Sequence, residues 1–155
     1  MKYLFLALTL LFATAAQAGS PGVYEKSVKQ PLNAVYDRIN TAFEDGGFRV
    51  VYEVDIGDNL SKIASKIGKD YNQSQLEGIK SMVFCNGIAA NKVGNADPSL
   101  LALCPLHVTL IHKAGITTVL FVRPSAVAQG SPALQAAQDL ENKVIKLIEA
   151  GLNAK

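Results

Sequence analysis

Apolar residues recur along the chain at two spacings, and the switches between them divide it into elements. Leu32, Val35, Ile39 and Phe43 fall at i, i+3, i+7 and i+11, one face of a helix that Pro31 opens and Gly46-Gly47 ends. Gly22–Val28 reads as a strand before it. Phe48–Ile56 alternates and is rich in β-branched and aromatic residues, which predicts a second strand. A turn is expected at Gly57-Asp58-Asn59, with Asn59 capping a helix whose apolar face is Leu60, Ile63, Ala64 and Ile67. After a polar connection over Asp70–Leu76, Gly78–Cys85 is an apolar run of strand length. Ile88–Val93 predicts a short helix, and Asp97-Pro98 starts another that reaches Leu103. Cys104-Pro105 ends it, because the residue before a proline avoids helical angles. Leu106–His112 and Ile116–Arg123 are two strands of a hairpin turning at Lys113-Ala114-Gly115. Pro124–Gly130 is expected to be a loop. Ser131-Pro132 then caps and opens a last helix to about Leu152, with Leu134, Leu140, Val144, Leu147 and Ile148 inward.

The order β-α-β-α-β-α-β-β-α predicts a single α+β domain with about five strands, mixed or antiparallel, and helices mainly on one face. The hairpin requires an antiparallel pair. Such a sheet leaves its other face open, as a binding site or a dimer surface.

The first residues follow a different logic. Met1-Lys2 precedes an apolar run, Tyr3–Ala15, and then Ala16-Gln17-Ala18. One positive charge, a short apolar core and a small-x-small site predict a cleavable signal peptide over residues 1–18 and a domain over 19–155. The run is shorter than the roughly 20 residues a membrane span takes. No later segment reaches that length, so no stable membrane anchoring is expected after cleavage, and the destination is periplasmic or secreted. Cleavage would leave 155 less 18, or 137, residues, enough for one real core. The whole chain carries 15 Lys and Arg against 13 Asp and Glu, and loss of Lys2 brings this to 14 against 13. That balance gives no general attraction for nucleic acid.

Familiar catalytic signatures are missing: no Gly-x-Ser-x-Gly, no phosphate-cradling glycine loop, no His-Glu-x-x-His and no Cys-x-x-Cys. What remains is a cluster of Met82, Cys85, Cys104, His107 and His112. In an oxidising compartment two cysteines suggest a disulfide, and one enclosing 18 residues (86–103) is worth about 3 kcal/mol by chain entropy. Cys104 and His107 are three positions apart, a spacing that lets thiolate and imidazole share an ion. With Cys85 and the Met82 thioether they would make a soft set suited to copper. Strand alternation opposes this unless Pro105 introduces a bulge. A reduced, reactive thiol pair is a third reading. One histidine could serve as an axial haem ligand, but 107 and 112 differ by five and so point to opposite faces. Arg123 either binds an anion or ends its strand in water.

Met82-Val83-Phe84-Cys85-Asn86, then Ala96-Asp97-Pro98, then Leu103-Cys104-Pro105-Leu106-His107-Val108 and a hairpin resemble domain-of-unknown-function family 302. The resemblance spans most of Val23–Pro124. Cys85 and Cys104 resemble an exported, cysteine-containing subtype. The chain departs from it with Gly87 where proline is common, and with cysteine before Pro105 rather than after it. The resemblance implies a small α+β fold and homodimers, and no accepted activity.

These readings converge on an exported accessory domain holding a small ligand, a soft metal or haem near Phe84–Asn86 and Cys104–His107, with Phe84, Asn86 and His112 as further pocket residues. The alternative is a disulfide-stapled interaction module; a thiol-based oxidoreductase is a third class. The leader itself is testable. Expression with export in a bacterial host should give a protein that begins at Gly19 by intact mass; exported material retaining the first 18 residues would contradict the assignment.

Overall fold

A computed structural model describes residues 20–154; the expected signal peptide lies outside these described residues. The elements are β1 (Val23–Val28), α1 (Leu32–Asp45), β2 (Arg49–Asp55), α2 (Ile56–Ser61), α3 (Ala64–Ile67), β3 (Gly78–Cys85), α4 (Gly87–Ala96), β4 (Leu106–Lys113), β5 (Ile116–Val122), α5 (Pro124–Val127) and α6 (Leu134–Asn153). Short 3-10 turns occupy Gly68–Asp70 and Pro98–Leu103. The five strands form one sheet in the order β1-β5-β4-β3-β2, and every neighbouring pair is antiparallel. The α+β class holds, and of the mixed or antiparallel alternatives the sheet is antiparallel.

Period-two alternation divides the sheet cleanly. Leu106, Val108 and Leu110 of β4, and Val119 and Phe121 of β5, are buried beside Met82 and Phe84 of β3. These side chains meet Val35, Ile39 and Phe43 of α1 and Leu140, Val144 and Ile148 of α6 in one core. Burying an aliphatic or aromatic side chain contributes about 1.5–3 kcal/mol, so this face supplies most of the driving force. The three rings Phe43, Phe48 and Phe84 pack together at its centre, with centroids 4.3 Å apart for Phe43–Phe84 and 5.5 Å for the edge-on Phe48–Phe84 pair.

Where α1 and α6 come closest, Gly151 is the reason. A Cβ there would sit 2.9 Å from the Ile39 Cα, so backbone meets backbone.

Several local expectations give way to the structure. Gly57-Asp58-Asn59 does not turn the chain but is helical within α2, and Asp55, not Asn59, caps it, accepting from the Asp58 N–H at 2.8 Å. Leu60, Ile63, Ala64 and Ile67 do not form one helix face. Lys62-Ile63 separates α2 from α3, neither helix has a buried residue, and Ile63 is 42% exposed. The i, i+3, i+4 pattern there has no core surface to pack on. Within 124–130, expected as a loop, Pro124–Val127 is a helical turn with Pro124 buried at its first position. The last helix starts at Leu134 rather than Pro132; Ser131 still takes part, its hydroxyl accepting from the Ala133 N–H at 3.1 Å.

The final helix also carries a buried acid that its apolar pattern hides. Glu141 is 6% exposed. It accepts from Arg123 Nη1 at 2.8 Å, from the Ser125 N–H at 3.1 Å and from the Ser125 hydroxyl. It thereby satisfies a free N–H of α5 and ties α5 to α6. Arg123 also lies over the Tyr24 ring, 5.7 Å from its centroid. It neither ends its strand in water nor stands ready for an anion. Burial pushes the Glu141 carboxyl up, but the hydrogen bonds from Ser125 and Arg123 outweigh it and hold the group below the usual carboxylate range.

Three outcomes follow. Gly151→Ala should destabilise by about 1–3 kcal/mol through overpacking, although alanine favours helices by about 1 kcal/mol; urea unfolding measures this, and a neutral or stabilising result would contradict the close approach. A carboxyl with a lowered folded-state pKa adds stability above its unfolded pKa and loses it as pH falls through the folded value. Wild type should therefore lose stability on acidification more steeply than Glu141→Gln. Glu141→Ala should cost about 2 kcal/mol near neutral pH, the partial exposure of Arg123 keeping the figure moderate.

Candidate functional site

Cys85 is the last residue of β3, and Cys104 stands two positions before Leu106, the first residue of β4. Phe84 pairs with Leu106. The strand ends therefore lie at one level, with Cys85 opposite the Cys104-Pro105 segment, whose peptide bond is cis. Both cysteines are half-buried and both are free thiols. Burial, then the charge of the nearby Cys85 and an interaction with its thiol, push the Cys104 pKa up. On its other side Cys85 pairs across the sheet with Arg49 of β2, a neighbour that the linear sequence does not reveal.

The other members of the expected copper set do not join them. Met82 is wholly buried, on the helix-covered face. Three positions along one strand from Cys85, it points the opposite way. His107 pairs with Val83 and is exposed. Among the described residues no group of three or more His, Cys, Asp or Glu side chains could hold one metal ion.

The three further pocket residues are occupied by structural work. Phe84 is fully buried against Phe43 and Phe48. Asn86 caps α4, accepting from the Ala89 N–H at 2.9 Å while its amide donates to the Gly47 carbonyl at 2.7 Å. His112 lies 2.8 Å through Nδ1 from the Thr117 hydroxyl. That hydroxyl gives its only proton to the Gln30 carbonyl at 2.7 Å, so His112 Nδ1 must be the donor. Its Nε2 stands 3.7 Å from Glu77 Oε2. His107 and His112 are on opposite sides of the sheet, with His112 on the helix side.

Two features of the arrangement bear on function: the thiol pair, and the sheet face that α1 and α6 do not cover. At the centre of that face stand Val83, Thr109, Ile111, Thr118 and Leu120, all partly exposed. Its charged strand residues, Glu25, Arg49 and Lys113, lie on the outer strands or at a strand end. In one place a polar pair stiffens the face, where Thr109 donates to Ser81 at 3.2 Å and Ser81 to the Val108 carbonyl at 2.9 Å.

Comparison with known proteins matches this geometry. A search of curated proteins finds no match. A solved structure described as an uncharacterized conserved protein DUF302 from Bacillus stearothermophilus superposes with a TM-score of 0.72 at 18% identity, covering 84% of this chain and 98% of that one. At that identity the likeness shows the fold. The family described as "Domain of unknown function DUF302" matches residues 24–151, most of the domain and both cysteines, and the chain therefore belongs to the DUF302 family.

Proposed function

We propose that this protein is an exported accessory domain without catalytic turnover, which works by presenting the helix-free face of its sheet to a second copy of itself. The observation that carries this reading is the absence, among the described residues, of Asp, Glu, Lys and Arg side chains from the centre of that face, where the exposed imidazole of His107 stands opposite Val83. With His107 neutral, burying that face leaves no charge unpaired, the costliest fault an interface can have.

Size supports the same reading. Five strands about 4.8 Å apart, rising about 3.3 Å per residue over the seven residues of β5, give a face of roughly 500 Å² in plan. That is of the same order as the roughly 800 Å² that one partner gives to a standard interface. Two such faces stack about 10 Å apart, as in sheet sandwiches.

The sequence-level alternatives lose support to the geometry. A thiol enzyme works through a thiolate, whereas the Cys104 thiol is pushed up. Among the described residues a copper site is left with two sulfurs and no third ligand. A haem site loses His112 to its contacts with Thr117 and Glu77. The thiol pair itself suits the exported, cysteine-containing subtype and an oxidising compartment.

Light scattering on eluting protein tests the proposal. Wild type should run with twice the mass of one chain at micromolar concentrations. Leu120→Lys, with its secondary structure intact by circular dichroism, should run as a single chain. Monomeric wild type, or a dimer indifferent to Leu120→Lys and Val83→Lys, would overturn it.

A further inference from the structure

We infer that Cys85 and Cys104 form an intramolecular disulfide that closes the long connection between β3 and β4 at its base. The inference is independent of how the sheet face is used. Antiparallel neighbours are commonly joined by a hairpin of two to five residues. Here 18 residues, 86–103, leave the sheet after Cys85 and return at Cys104, folding into α4 and a 3-10 turn on the way.

Away from its ends that excursion is held by few polar ties. Lys92 meets Asp139 of α6 at 2.7 Å, both exposed, and Ser131 donates to Asp97 at 2.6 Å. Exposed ion pairs of this kind contribute little. At the base, the Phe84–Leu106 register sets the two cysteines on adjoining strand ends, near enough for Cys85 to act on the Cys104 thiol. Among the described residues no cluster of metal-binding side chains holds the pair in its reduced form.

The chemistry balances with an external disulfide as oxidant. The thiolate of one cysteine attacks an S–S bond such as that of glutathione disulfide, forming a mixed disulfide and expelling one glutathione thiolate. The second cysteine attacks the protein-side sulfur of that bond, forming the Cys85–Cys104 bond and expelling the second glutathione. The protein loses two hydrogens as protons and two electrons, and the oxidant gains both electrons and becomes two thiols. With both cysteines at adjoining strand ends of one chain, the second step is intramolecular, so the mixed disulfide should be short-lived.

The test uses the reduced exported protein exposed to excess glutathione disulfide and then alkylated. Intact mass should show the loss of two hydrogens per chain, with no glutathione adduct and no alkylation. Proteolysis without reduction should give one cross-linked peptide pair holding Cys85 and Cys104. The urea midpoint of the oxidised form should lie above that of the reduced form, and this shift should vanish in Cys85→Ser and in Cys104→Ser. Because mass is read on wild type, poor folding of either variant leaves the outcome decidable. Leu120→Lys should form the same bridge even as a monomer, which separates this inference from the proposal about the sheet face. Glutathione adducts without the cross-link, or two alkylatable thiols in the folded oxidised protein, would overturn it.

Discussion

The pairing of β3 with β4 is the constraint on which the rest of this domain depends. Phe84 sits opposite Leu106 and Met82 opposite Val108, and that phase sends all four side chains towards α1 and α6. Val83 and His107, one position on, face the other way. Strand side chains repeat every two residues, so a slip of one would either carry Phe84 out of the Phe43–Phe48 cluster or put His107 into the core. Such a slip would remove several aromatic and aliphatic side chains from the interior, each worth about 1.5–3 kcal/mol, which is why the register is strongly specified.

The same phase explains the placement of polar groups. Residues with chemical potential near the core are already committed to holding the backbone. Asn86 closes the end of β3 onto α4 and Gly47, His112 and Thr117 anchor Gln30, and Glu141 joins α6 to α5. Each satisfies backbone donors or acceptors at exposed or part-buried positions, and each such bond contributes about 1 kcal/mol. The uncommitted groups include those on the far face of the sheet and the two thiols, at the end of β3 and before the start of β4. The proposed docking face therefore lies outside the core, on the sheet surface that α1 and α6 leave uncovered.

Much of this architecture is legible in the residues. α1 and β5 follow their apolar spacing closely, and the hairpin turn at Lys113-Ala114-Gly115 lies where the glycine puts it, with Gly115 at φ 77°. The α2–α3 segment misleads because helical periodicity shows that a face exists, not that anything packs on it. Glu141 escapes notice because a charged residue beside Leu140 and Val144 looks like the edge of an apolar stripe. Its partners, Arg123 and Ser125, are distant in sequence and meet it only through the chain reversal at α5. The copper set fails for a reason that the sequence itself contains: Met82 and Cys85 have opposite parity on one strand. Arg49, the cross-strand neighbour of Cys85, depends on the β2–β3 register and on the irregularity between Val50 and Tyr52, which no local pattern announces.

The most direct measurement of the central constraint is the set of cross-strand nuclear Overhauser contacts between β3 and β4 in isotope-labelled protein. The observed register requires backbone contacts pairing Phe84 with Leu106, Val83 with His107 and Met82 with Val108. Contacts shifted by one residue, pairing Phe84 with His107 or Cys85 with Leu106, would contradict it and would separate both the core and the thiol pair from the positions described.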